Sequence, residues 1–173
     1  GLAPGAHGAN RTGRIFTGDS SGDWLYGSLH RAGLATIPTS TSIKDGQELI
    51  ETRITCAVRC APPDNKPSIE ERDTCALYLT KEIEIASKTT AAYVALGSFA
   101  WSAMIKALRE IGHTIPTTKF SHGAKITFLD GSRTITLIGS YHPSQQNTFT
   151  GKLTKPMLDK IFTQAAKAAG ITS

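Results

Sequence analysis

The chain has 173 residues, 39% of them hydrophobic, and a net charge of +5 at neutral pH. That length fits a single domain, 1–173, with a core that needs no disulfides, and no apolar run approaches the roughly 20 residues that cross a bilayer. The sequence as it stands shows no basic-then-apolar leader; its odd count of three cysteines argues for a reducing, cytoplasmic compartment, and its pI near 9.2 leans toward a phosphate-rich partner.

Gly1 to Asp23, GLAPGAHGANRTGRIFTGDSSGD, has glycines at 1, 5, 8, 13, 18 and 22 and no hydrophobic period. It reads as a ligand-holding loop. Its counterpart is Gly139 to Gly151, GSYHPSQQNTFTG, where a histidine follows an apolar run. Because the chain opens inside such a loop without an initiator Met, an amino-terminal truncation and a missing strand are expected. Trp24, Leu25, Leu29 and Ala32 predict a helix over Asp23 to Ala32, stopped by Gly33 and aiming its amino terminus at Thr17 to Gly22. Pro38 to Gly46 is a surface loop.

Thr52 to Val58 alternates β-branched residues and predicts a strand, after which CAPPDNKP forbids regular structure. Ser68 and Glu71 form a capping box that opens a helix to about Glu84. Ala92 to Leu96 is a buried strand closed by Gly97, and Phe99 to Ile111 is a helix ended by Gly112. Lys125 to Leu129 and Arg133 to Gly139 flank Asp130-Gly131, a hairpin signal that delivers His142 at the carboxyl end of the second strand. A last helix runs from a Thr154 cap to Gly170, with Leu158, Ile161, Phe162 and Ala165 on one face. This rhythm predicts an α/β fold, a three-layer α/β/α sandwich on a mainly parallel sheet of about four strands. Ligands then sit outside the carboxyl ends of the strands.

GLAPGAHGANRTGRIFTGDSSGDWL, RCAPPDNKPSIEERDTC, YVALGSFAW and GSYHPSQQNTFTGKLT resemble, in order and spacing, the iron–sulfur uracil-DNA glycosylases, in particular the broad-specificity type-b branch, or family 5. The resemblance covers essentially the whole chain. It implies a base excision repair enzyme that flips uracil and other deaminated bases out of single- or double-stranded DNA and hydrolyses the N-glycosidic bond, leaving an abasic site. By the same resemblance Phe16 stacks on the base and a neutral His142 donates to the uracil O2 position as charge grows there; Ala3 and Asn65 are further candidates for contact with the base. Gly139 to Thr150 carries amides to phosphates and a wedge within Gln145 to Phe149, so that Ser144, Gln145, Asn147, Arg14 and Lys152 are candidate DNA contacts. Arg11, Lys66 and Lys155 are weaker ones.

Two departures from the uracil-specific branch matter. Leu2 stands where that branch has a water-positioning Glu, and Cys56 where it has a base-reading Asn. A pocket without that reader is expected to accept several deaminated bases, hypoxanthine and xanthine among them. The missing acid falls to Asp19, with Asp23 second because a place as helix N-cap or first-turn residue already explains it; Asn10 and Asn65 are weaker candidates for base or water contacts. Cys60 and Cys75 match the last two of four [4Fe–4S] ligands in the family, so the cluster is expected to be incomplete in this chain. A monomer is expected.

Two rival readings compete with this one. Gly18-Asp19-Ser20 resembles the GDS nucleophile block of lipase-like hydrolases, but Gly139, Ser140 and Tyr141 offer no carboxylate to orient His142. A catalytically inactive DNA-binding fragment is the other alternative.

Overall fold

The computed structural model describes residues 1–171. Its elements, in chain order, are α1 (Ala9–Thr12), α2 (Ser20–Arg31), α3 (Ile69–Ala86), β1 (Ala92–Leu96), α4 (Ser98–Glu110), β2 (Lys125–Asp130), β3 (Arg133–Ser140), α5 (Gln145–Phe149) and α6 (Lys155–Ala168), with a one-turn 3-10 segment over Pro63–Asn65. No helix among the described residues is long and apolar enough to cross a membrane.

The sheet has three strands in the order β1-β3-β2, with β1 parallel to β3 and β2 antiparallel to it. The expected four-stranded, mainly parallel sheet is therefore reduced to one parallel and one antiparallel pair among the described residues. Alternating side chains explain why both faces are covered. Tyr93, Ala95, Ile135 and Leu137 face α3 and α4 with Trp101, Met104 and Leu108, whereas Leu96 and Ile138 face α2 and α6 with Leu29, Leu158 and Ile161. β2 shows only Ile126 and Phe128 to the core and exposes Lys125, Thr127 and Leu129, as an edge strand does. Leu108, Leu137, Leu153 and Leu158 are wholly buried, each such burial contributing roughly 1.5–3 kcal/mol.

Local signals account for the helices. Ser68 and Glu71 form both halves of the capping box of α3, and Gly112 and Gly170 take positive φ just past α4 and α6. Two sequence expectations need correction. Thr52 to Val58 is not a strand: among the described residues its main-chain hydrogen bonds run to Gly1 and Leu2, Gly1 donating to Thr55 while Ala57 and Val58 donate back to Gly1 and Leu2. Three such bonds do not make a regular ladder, and the segment bends at Ala57 and Val58. The hairpin turns one residue later than expected, since Asp130 pairs with Arg133 and the bend is Gly131-Ser132 with Gly131 at φ 61°.

Candidate active site

The parallel pairing of β1 and β3 brings their carboxyl ends to one edge of the sheet, Leu96 opposite Ser140, and the Gly97 N–H donates to the Ser140 carbonyl at 2.8 Å. Gly97 has φ 95°, and a Cβ built there would lie 3.5 Å from the Cβ of His142. That distance is ordinary van der Waals contact, so it is the positive φ at the turn from strand to helix that calls for glycine, and the histidine loop packs directly against it.

Phe16 reaches the same point from the opening loop. Its ring centroid is 5.6 Å from that of His142, with the planes tilted by 35°. Gly1 packs against the ring, since a Cβ on it would stand 3.4 Å from Phe16 Cε2 and 3.8 Å from Cys56 Sγ. Four stretches of sequence, the opening loop with Gly1 and Phe16 and those around Cys56, Gly97 and His142, therefore converge here. Arg53, Thr55 and Arg59 all bond to Glu82 of α3, which fixes the Cys56 wall from behind.

His142 is half-buried, and burial pulls its pKa down to about 4, with a smaller push from the positive Gly1 amino group. A peptide-bonded Gly1 removes only the smaller cause. At neutral pH the imidazole is uncharged and offers one N–H donor. Asn147 Nδ2 donates to the His142 carbonyl at 2.9 Å, so this candidate DNA contact works inside the loop.

Phe16 adopts φ 58°, a left-handed conformation that costs energy in an aromatic residue and persists only where neighbours impose it. Here they do. Tyr26 Oη donates to the Ile15 carbonyl at 3.1 Å, Arg14 Nε to Thr17 Oγ1 at 3.0 Å, and the Gly18 N–H to the Ser40 carbonyl at 2.9 Å. Phe16 is also a member of the core around Leu25, Tyr26 and Leu96, with only 8% of its surface exposed.

Arg14 is turned inward. Besides Thr17 it holds Asp45 at 2.7 Å, Ser40 Oγ and the Ser42 carbonyl at 2.8 Å, and the Gln47 carbonyl at 3.1 Å. Its donors are spent on the protein's own loop, which makes it a brace for Phe16. The Arg14 guanidinium, helped by the main-chain N–H groups of Gln47, Thr41 and Ser42, holds the Asp45 carboxyl well below the usual carboxylate range against the effect of burial. Because the folded pKa is depressed, this stabilisation is present above the unfolded value of about 4 and is lost as pH falls further. Asp45→Asn is expected to be less stable than wild type at neutral pH and less acid-sensitive below about pH 4. Urea melts across pH 2–7 check it; parallel curves for the two proteins would refute it.

Asp19 is the N-cap of α2: Oδ1 accepts from the Gly22 N–H at 2.8 Å. Its other oxygen faces the glycine loop, for a Cβ on Gly8 would lie 2.3 Å, and one on Gly5 3.8 Å, from Oδ2. Asp23, expected as a helix N-cap or first-turn residue, is an exposed first-turn residue. The helix begins at Ser20 rather than Asp23 because the cap bond sets the start and the polar SSG turn shows no apolar period.

Ser144 is the N-cap of α5 without using its hydroxyl, Gln145 is exposed, and Phe149 is 81% exposed at the end of the same turn. Lys152 Nζ lies 4.8 Å over the Tyr141 ring and Lys155 Nζ 5.9 Å over Trp24. Ala3 is half-buried beside Leu2. Asn10, Arg11 and Lys66 are exposed. Asn65 sits exposed at φ 55°, and among the described residues no hydrogen bond joins its side chain to the Phe16 and His142 pair. Gly22, Gly97 and the Arg14–Asp45 brace escaped the sequence reading; only Gly97 left a signal there, as the glycine between a strand and a helix.

Cys60 is exposed, Cys75 is half-buried on α3, and burial pushes the thiol of Cys56 up, away from the ligating thiolate. A [4Fe–4S] cluster takes four thiolates, and no three His, Cys, Asp or Glu side chains among the described residues gather around a metal-sized point. Those residues do not make up a complete cluster site.

The family model of the uracil DNA glycosylase superfamily matches residues 1–166. The type-5 uracil-DNA glycosylase of Mycobacterium tuberculosis is 52% identical over 171 residues, 99% of this chain and 62% of its own length. That of Thermus thermophilus is 46% identical over 173 residues, 99% of this chain and 74% of its own, and that of Pyrobaculum aerophilum 44% identical over 170 residues, 98% and 70%. The chain thus spans less than two thirds of the mycobacterial relative. A glycine-rich opening loop and a strand-end histidine that meet at one sheet edge, matched over nearly every residue, show that the chain belongs to the uracil-DNA glycosylase superfamily.

Proposed function

We propose that this chain performs the excision of uracil and other deaminated bases from DNA, by hydrolysis of the N-glycosidic bond. The observation that carries the reading is the convergence of Phe16 and His142, 5.6 Å apart, outside the carboxyl ends of the parallel strands. An extruded base needs an aromatic face and donors aimed at its carbonyl oxygens. In this reading Phe16 supplies the face, with Ala3 beside it. The neutral N–H of His142 meets the O2 oxygen, where negative charge grows as the base leaves, so the bond strengthens toward the transition state.

The Leu2 side chain has no oxygen with which to orient a water molecule. Asp19 takes that part: Oδ1 is fixed by the Gly22 N–H, while Oδ2 is free to orient water and to stabilise oxocarbenium character at the sugar. Cys56, in the place of an amide reader, leaves the pocket without a side chain that demands uracil, which favours hypoxanthine and xanthine as further substrates. Ser144, Gln145 and Lys152 approach the phosphates, and the exposed Phe149 is the wedge that fills the vacated stack. Asn65 lies outside this pocket in our reading. Cys60 and Cys75 would supply two of the four thiolates of a [4Fe–4S] cluster, and no step of the reaction runs through it. The enzyme acts as a monomer.

Duplexes carrying uracil, hypoxanthine or xanthine, treated with alkali after incubation, test this reading through strand scission at abasic sites. Asp19→Asn keeps a good helix cap but removes the charge, and is expected to lower the rate by about 100-fold or more with the melting temperature held. Asp23→Asn should stay within about threefold of wild type. Loss in the second variant alone would transfer the role to Asp23, and binding without scission by the folded wild type would make the chain a DNA-binding module.

A further inference from the structure

The loop ahead of β2 is laced to the strand that delivers His142. The Gly123 N–H donates to the Gly139 carbonyl and the Gly139 N–H to the Ala124 carbonyl, each at 2.8 Å. The two backbones run so close that a Cβ on Gly139 would lie 2.8 Å from the Ser121 carbonyl oxygen. Just past this braid the Tyr141 N–H donates to His122 Nδ1 at 3.2 Å. Tyr141 is the first residue beyond β3, where no strand neighbour remains to accept its N–H. Aromatic rings pack around that bond, His122 5.2 Å and Phe120 6.2 Å from Tyr141, with Lys152 over the Tyr141 face.

We infer that His122 is a positioning residue for His142: its Nδ1 accepts the Tyr141 amide and so fixes the direction in which the chain leaves β3 toward Phe16. Asn147 completes the hold from the other side through its bond to the His142 carbonyl. The main chain at His142 is then tied before and after the residue, and the ring keeps only its own side-chain torsions. Nδ1 accepts only in the neutral imidazole. Burial lowers the His122 pKa, against a smaller opposing hydrogen bond at the Met157 main chain. The bulk of a ring and the acceptor atom are separable roles.

The inference rests on the glycosylase reading and is tested in the intact protein with two variants. His122→Phe keeps a flat ring against Tyr141 and removes the acceptor; His122→Asn gives up the ring and presents an oxygen near the position of Nδ1. On a uracil-containing duplex the Phe variant is expected to lose about 10- to 100-fold in kcat with little change in KM. The Asn variant should stay within about fivefold of wild type. Amide hydrogen exchange at Tyr141 should speed up in the Phe variant alone. A Phe variant as active as wild type, or an Asn variant as impaired as the Phe one, overturns the inference. Should the Phe variant not fold, exchange at Tyr141 in the Asn variant decides: wild-type protection supports the bond, and lost protection overturns it. A wild type inactive on uracil would instead defeat the glycosylase reading, while Tyr141 exchange still reports whether His122 holds that amide.

Discussion

His142→Ala is expected to slow single-turnover release of uracil by about 100- to 1000-fold, the loss measured when one donor to a developing oxyanion is removed. The side chain is half-buried at the end of β3 and makes no hydrogen bond to another side chain among the described residues, so the change should leave thermal stability close to wild type. Its charge state makes a second signature. With the pKa drawn down to about 4 by burial, His142 is neutral and donating from mildly acid to alkaline pH, and a falling limb belongs near pH 4. An unshifted imidazole would place that limb near about pH 6.5 instead. Rates for wild type and His142→Ala across pH 4–8 distinguish the two. A limb near pH 6.5 that disappears in the variant would show that the cationic form fails to act in a far less desolvated site.

Gly22→Ala is the second large effect, and its sign opposes helix propensity. Gly22 lies in the first turn of α2, where alanine normally gains about 0.5–1 kcal/mol over glycine. Here a Cβ would stand 2.0 Å from the carbonyl oxygen of Phe16 and 2.8 Å from its carbonyl carbon, both main-chain atoms with no side-chain freedom. To admit the methyl, Phe16 must leave its φ of 58° or α2 must move, and the same shift disturbs the Gly22 N–H that holds Asp19. Excision should fall by about 100-fold, as a misplacement of about 1 Å can cause, with a stability loss of about 1–3 kcal/mol. Gly27→Ala is the control on the same helix: its Cβ meets only the flexible Arg31 Nη1 at 3.3 Å and the Pro38 carbonyl at 3.7 Å. Urea melts and excision rates for both variants decide the matter. Equal behaviour at positions 22 and 27 would refute the close approach.

What the sequence made legible was local. Ser68 with Glu71, the apolar face of Leu158 and Phe162, and the strand from Ala92 to Leu96 each carry their instruction within a few residues, and each element formed as expected. Thr52 to Val58 carried a strand's composition too, yet whether such a segment becomes a strand depends on the pairing it meets in the fold, which composition does not encode. Arg14 looked like any loop cation; its acceptor Asp45 is 31 residues away. His122 lay among turn residues with no period at all, and only the crossing of its loop over Gly139 gives it an occupation. Phe16 is legible only through motif resemblance, whereas the apolar run of β3 already places His142 at a strand end; their meeting at 5.6 Å depends on β1 and β3 lying side by side.

The most direct test of this account is the appearance of free base. Purified protein incubated with a duplex containing one uracil should release free uracil and leave an equal amount of alkali-labile abasic site, and the His142→Ala protein should release far less under the same conditions. Intact uracil-containing strand after incubation with folded wild-type protein, or release that His142→Ala leaves unchanged, would contradict the site described at Phe16 and His142.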